Sequence, residues 1–296
     1  MNYLMPAAPT LPSFIPWVLA QQRGYYKDEG LNVSYIVAKG GVDVAVQVGV
    51  GNGQIGGGIG DTTIITRSQG IPVKTVALMG GGAFTELVVH NGEGINGPKD
   101  LKGKTVTVLS YQDTSYFALL GMLASAGLTK NDVNILAAGP TGIWQLFAAG
   151  KAAAMATTIN WALDARNAGA KIKIIRGDTY FPSFAQAIVT SDKMIKERPD
   201  VVRKLVRATV RGMTDIMKEG TGVIPDYVAA VPDMKGKEAM LADVIKLYVD
   251  YVYNGQKVPG AMDPQRLAKV QDFYVKEGIA AKSSPLDSLY TNQFVE

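Results

Sequence analysis

The sequence predicts an α/β fold of two lobes joined by a two-strand hinge, with a helical C-terminal segment packed on lobe one. Three observations carry this. Short β-branched runs alternate with helix-length amphipathic stretches from Asn2 to about residue 175, the rhythm of βα units. Two apolar runs, 85–90 and 185–190, bracket the second half of that rhythm, so the chain reads as leaving one lobe, building another and returning. From Pro199 onward the pattern turns to long helical periodicity with too few strands for a sheet of its own.

Residues 2–6 read as a strand, Ser13 as the cap of a helix over 14–23, and Gly24 as its end. A strand over 33–37, a helix over 42–50 and a strand over 54–58 follow; Asp61 or Thr62 caps a helix over 63–68. The strand 73–79 closes this set at Gly80-Gly81-Gly82. The second set runs from Gly97-Pro98 through strands 105–109, 133–137, 153–157 and 171–175, with helices 115–126, 141–149 and 159–168 between them. In the tail, Val202, Leu205, Val206, Thr209, Met213, Ile216 and Met217 keep helical spacing behind Pro199-Asp200, a pair suited to a first turn. The stretches 241–253 and 264–275 read the same way. The expected lobes are residues 1–84 with 190–296, and residues 85–189.

At 296 residues the chain has length for two domains. Its 47% hydrophobic and 19% charged residues place it among ordinary globular proteins. A net charge of +4, spread at about +2 per lobe, is too weak and even for a nucleic-acid partner. With no cysteine and one histidine, thiolate nucleophiles, disulfides and His-rich metal sites are excluded, and neither a metal nor a cofactor is expected. The uncharged stretch of residues 44–60 holds seven glycines and is too short and too glycine-rich to span a membrane. Residues 1–5 lack the basic and apolar regions of a signal peptide, so an export signal, if one existed, is expected to have been cut off.

Two motifs read blandly. Gly51-Asn52-Gly53-Gln54-Ile55-Gly56 matches the dinucleotide fingerprint G-x-G-x-x-G, yet it follows a helix and leads into a strand, the reverse of the required context. A helix end and tight turn explain it. His90, at the end of an apolar run, reads as a surface or hinge residue, and no G-x-S-x-G elbow accompanies it.

Ligands of open α/β sheets bind beyond the carboxyl ends of strands, and two such lobes facing each other would make a cleft. The strand-end junctions therefore supply the candidate ligand residues: Thr10, Leu11, Phe14, Asp61, Thr62 and Gly80 on lobe one, and Ser110, Tyr111, Asp113, Thr114, Ser115, Thr158, Asn160, Trp161 and Tyr180 on lobe two. Hydroxyls, amides and helix N-termini can meet a polar or anionic end, while Phe14, Tyr111, Trp161 and Tyr180 can wall an apolar body. No Lys or Arg lies within these junctions; Arg176 is the basic residue nearest them. A carboxylate or sulfonate on an apolar or aromatic body leads, a neutral pyrimidine is the runner-up, and no residue is assigned to catalysis.

The stretch Pro16-Trp17-Val18-Leu19-Ala20-Gln21-Gln22-Arg23-Gly24-Tyr25-Tyr26-Lys27-Asp28-Glu29-Gly30-Leu31, the entry Asp100-Leu101-Lys102-Gly103-Lys104, and the helix start Arg198-Pro199-Asp200-Val201-Val202-Arg203 together resemble the type II periplasmic substrate-binding proteins of ABC importers. The resemblance is to the group serving sulfonates, taurine, nitrate and thiamine-pyrimidine precursors. It implies a periplasmic, monomeric receptor that captures a small molecule between its lobes and hands it to an ABC permease in the inner membrane. The chain departs from that pattern where Gly53-Gln54-Ile55-Gly56 and Gly150-Lys151-Ala152-Ala153 lack an Asp, and where Thr158-Ile159-Asn160 replaces W-x-P. A pyrimidine-precursor enzyme or binding protein on the same fold is the alternative; the related eukaryotic synthases carry a Cys-rich motif and histidines not found here. A regulator's effector domain would need an N-terminal helix-turn-helix, whereas this sequence begins on a strand.

Overall fold

The structure is a computed structural model, and it describes residues 1–295. Two compact units emerge, one of Met1–Gly82 together with the chain from Phe184 onward, the other of Ala83–Ser183. The first segment contains β1 Asn2–Met5, α1 Ile15–Gln22, α2 Tyr25–Asp28, β2 Ser34–Val37, α3 Gly41–Gly49, β3 Ile55–Ile59, α4 Thr62–Ser68 and β4 Val73–Leu78. The second unit holds β5 Glu86–His90, β6 Thr105–Val108, α5 Thr114–Ser125, β7 Asn134–Ala137, α6 Gly139–Ala148, β8 Ala154–Thr157, α7 Ile159–Asn167 and β9 Ile172–Ile175. The returning segment adds β10 Gln186–Ser191 and the helices α8 Asp192–Glu197, α9 Pro199–Glu219, α10 Ile224–Ala230, α11 Glu238–Tyr248, α12 Pro264–Lys276 and α13 Leu286–Leu289.

Each unit is built on one five-stranded sheet, ordered β2-β1-β3-β10-β4 in the first and β7-β6-β8-β5-β9 in the second. In the first sheet β1 pairs in parallel with β2 and β3, while β10 runs antiparallel to both β3 and β4. The second repeats the plan, with β5 antiparallel to β8 and β9. The chain passes between the units at Gly82–Ala83 and at Ser183–Phe184. The apolar runs beside those crossings are seated inside one sheet each. Leu87, Val88 and Val89 of β5, like Ala187, Ile188 and Val189 of β10, are fully buried, because an interior strand of a helix-covered sheet is wrapped on both faces.

The amphipathic pattern of α9 buries Val202, Leu205, Val206, Thr209, Met213 and Ile216. It packs on α1, and Gly212 permits the approach: a Cβ there would stand 2.3 Å from the Pro16 carbonyl oxygen. The rest of the tail covers the exposed edge of β4. Leu78 N–H donates to Gly260 O at 2.8 Å, Thr75 bridges Tyr290, and Thr291 N–H donates to Thr75 O at 2.9 Å. An unpaired strand edge invites foreign pairing, so the helical tail on the first unit completes the sheet.

Several local expectations shift. Ser13 does not cap α1: a 3₁₀ turn over Pro12–Phe14 precedes the helix, Phe14 takes the N-cap position, and no side chain caps it. Pro16 in the first turn has no N–H to satisfy. Residues 241–253 form α11 followed by a π turn over Val249–Tyr253. Gly51 ends α3 with φ at 89° and leads into β3, the helix-to-strand turn that excludes a nucleotide loop. His90 is half-buried and stacks on Phe147, ring centroids 4.0 Å apart, so its part is packing within the second unit.

Candidate functional site

Strand direction decides which loops gather. In the first sheet the carboxyl ends of β1, β3 and β4 share an edge with the start of β10, which collects the loop to Phe14, Gly60–Thr62, the glycines after β4, and Phe184. In the second, the carboxyl ends of β6, β8 and β9 share an edge with the start of β5, bringing the 110–115 turn, Thr158–Trp161 and Arg176–Asp178 beside Thr85 and Glu86.

On the first unit Asp61 is almost wholly buried. It stands at the N-cap of α4 but with helical backbone angles, so its carboxylate makes no capping bond; instead Oδ2 accepts from the Tyr274 hydroxyl at 2.8 Å. Burial holds that phenol well above its usual range. Thr62 Oγ1 accepts the Ile59 N–H at 3.0 Å. Phe14 is buried and meets Trp17 edge-on, centroids 5.9 Å apart, which is core packing. Thr10 is exposed with its carbonyl held by the Tyr227 hydroxyl at 2.6 Å, and Leu11 is half-buried. Gly80 has φ of 126°, and a Cβ there would fall 2.0 Å from Val252 O, so only glycine lets β4 run on against the tail. Beside it lies a pocket of about 500 Å³ bordered by Gly80, Gly81, Phe184 and Arg266. The Arg266 guanidinium stacks over the Phe184 ring at 5.0 Å and donates to Gly81 O at 2.5 Å.

On the second unit Asp113 caps α5, Oδ1 accepting from Ser115 N–H at 2.9 Å and from Ser115 Oγ at 2.5 Å. Burial raises its carboxyl, and the Ser115 bonds pull it back. Thr114 and Ser115 are buried, Ser110 is half-buried and takes the Gln112 N–H at 3.3 Å. Thr158 donates to Asn160 Oδ1 at 2.6 Å, and Trp161 is buried just behind. Two other candidates point their polar ends at backbone: the Tyr111 hydroxyl donates to Ile135 O at 3.1 Å with its ring half-exposed, and the Tyr180 hydroxyl donates to Asn96 O at 3.2 Å.

The buried acid of this edge, Glu86, was not among the sequence candidates, although Arg176 beside it was named. Glu86, buried at the first position of β5, accepts the Gly177 N–H at 2.6 Å through Oε2 and faces Arg176 Nε at 3.4 Å through Oε1. Arg176 also reaches Asp178 at 3.2 Å, and Asp178 takes the Ala83 N–H at 2.8 Å. Desolvation pushes the Glu86 carboxyl up to about 7, against the pull of Gly177 and Arg176. The buried hydroxyls of Thr85 and of Thr157, which pairs with Glu86 across the ladder, make no hydrogen bond among the described residues. A lone acid opening the run Glu86-Leu87-Val88-Val89 was the available signal for Glu86; Tyr274 and Arg266, some 200 residues from the strands they serve, carried none.

The family model described as NMT1/THI5 like matches residues 11–222, most of the chain. The chain belongs to the NMT1/THI5-like family. Among its relatives is the riboflavin-binding protein RibY of Chloroflexus aurantiacus, 23% identical over 288 residues, spanning 95% of this chain and 82% of RibY. Another is the 4-amino-5-hydroxymethyl-2-methylpyrimidine phosphate synthase of Schizosaccharomyces pombe, 24% identical over 229 residues, or 73% of this chain and 66% of the synthase. Among solved structures, the alkanesulfonate-binding protein SsuA of Xanthomonas axonopodis pv. citri, bound to MOPS, superposes with a TM-score of 0.75 at 16% identity over 98% of this chain and 97% of SsuA. The family member described here thus has the fold of the periplasmic binding proteins.

Proposed function

We propose that the protein is the periplasmic solute-binding component of an ABC importer, which binds one small organic molecule and passes it unchanged to an inner-membrane permease. The observation that carries this reading is the edge chemistry: on a binding-protein fold, each sheet collects buried polar groups at the carboxyl ends of its parallel strands. Asp61 and Thr62 are such groups on one unit, and Ser115, Thr158, Asn160 and Glu86 on the other.

The carboxyls Asp61, Asp113 and Glu86 outnumber the guanidiniums Arg176 and Arg266 at these edges. A buried carboxyl accepts from an N–H and repels an anion. The reading therefore favours the neutral, N–H-bearing ring over the carboxylate or sulfonate. A thermal-shift screen of riboflavin, aminopyrimidines and alkanesulfonates tests it, since a ligand at 100 times its Kd stabilises by about 2.7 kcal/mol. Asn160→Ala and Thr62→Val should each weaken the best ligand about tenfold or more. Unchanged affinity in both would overturn the placement, and recovery of a chemically altered ligand would move the protein to the synthase class.

A further inference from the structure

A second set of charged groups lies on α9, none of them among the strand-end residues. Arg203, Arg207 and Arg211 stand at successive i, i+4 positions on one face of this helix. From Val201 to Thr214 the helix carries Lys204 besides and no acid. Each of the three guanidiniums is held by a different contact. Arg203 donates to Gln293 O at 2.8 Å and lies 5.5 Å over the Phe294 ring. Arg207 makes a two-pronged bond to Glu29, 2.6 Å at each prong, which holds that carboxyl below its ordinary range. Arg211 stacks on the Tyr25 ring at 3.7 Å. Stacking uses the face of a guanidinium and leaves its rim of N–H donors outward, and the rim of Arg211 meets no acceptor among the described residues.

Between this ridge and the wall formed by Val258, Pro259 and Phe294 lies a pocket of about 300 Å³, floored by Val206 and Val210. Val258 is 44% exposed. Pre-positioned guanidiniums beside an apolar trough match an anion carried on a small apolar body: the charge meets the Arg211 rim while the body covers the valines and proline.

We propose that this α9 groove is a second binding site, for a small organic anion such as an aryl phosphate or aryl carboxylate. The site recognises a charge the strand-end edges do not favour, so its occupant is a different molecule from the solute of the preceding section.

The probes are phenyl phosphate and benzoate, titrated into the ¹⁵N-labelled full chain by NMR, with benzyl alcohol and inorganic phosphate as controls. Phenyl phosphate should shift amides of α9 and of 258–259, more weakly as salt rises, while each control, lacking one half of the match, binds at least tenfold more weakly. Arg211→Gln should cost about tenfold in affinity, Val210→Asp more, and Asn160→Ala nothing. Retention of binding in Arg211→Gln, loss in Asn160→Ala, or equal binding of inorganic phosphate would each overturn the proposal. Vesicles of phosphatidylglycerol and phosphatidylcholine separate a lipid headgroup from a soluble anion: adsorption to them without a phenyl phosphate shift would also overturn it. Circular dichroism confirms that each variant is folded.

Discussion

The strand-end edges of the two units are made from the same sheet plan but are finished differently. In the second unit every group that conditions the edge comes from the continuous stretch Ala83–Ser183: Asp113 is set by Ser115, Thr158 by Asn160, Glu86 by Gly177 and Arg176. In the first unit Asp61 is held by Tyr274, the turn after β4 rests on Val252, and Arg266 closes on Gly81, all supplied by the tail. The same carboxyl-end chemistry can thus be local or borrowed. A borrowed edge makes the tail part of the site's architecture, so damage there should reach Asp61 from a distance, while damage in the second unit should stay in it.

The contrast breaks most visibly at Gly82. A Cβ at this position would lie 1.8 Å from Tyr251 O, so Gly82→Ala should push the tail from β4 and cost about 3 kcal/mol or more, read as a fall in the urea midpoint. A midpoint within experimental error of the wild type would mean the tail adjusts freely. Tyr274→Ala comes next, at about 3 kcal/mol for the lost ring. Tyr274→Phe, which removes one donor from Asp61, should cost about 1–2 kcal/mol and lower solute affinity with the fold intact. If the affinity stays put, the borrowed edge is only structural.

Glu86 gives a pH-dependent effect in the local edge. Its folded carboxyl titrates near 7, whereas an unfolded Glu titrates near ~4.3. Between those values the folded protein keeps a proton that the unfolded chain has lost. The contribution is therefore fully present below about pH 4, is lost as pH rises through 7, and amounts to about 3–4 kcal/mol. Glu86→Gln should flatten that part of the stability profile, and an unaltered profile would count against the buried acid. Smallest is Asp113→Ala, which removes the cap of α5 and should cost about 1 kcal/mol, seen as faster amide exchange confined to the first turns of α5.

Most of the fold was legible because it rests on local periodicity. The strand expected over 73–79 is Val73–Leu78, the helix over 159–168 is Ile159–Asn167, and the helix behind Pro199 runs to Glu219, each following from side-chain spacing and its end signals. Short helices such as α2 and α10 escaped, having too few residues to show a period. The strand-end candidates were legible as positions, since every one follows a strand. Their chemistry was not: Tyr111 and Tyr180 looked like ligand walls but spend their hydroxyls on Ile135 and Asn96, and Asp61 looked like a cap but answers to Tyr274.

By itself, then, the order of residues determined the alternation of strands and helices, the two-unit plan and the loops where polar groups accumulate, because hydrophobic period and turn chemistry act over a few neighbours. Tertiary structure decided what those loops can bind. The partner that sets a carboxyl's charge, as Gly177 and Arg176 do for Glu86 and Tyr274 does for Asp61, is chosen by strand order and chain return. Desolvation and hydrogen bonding depend on distance in space, which sequence separation does not encode.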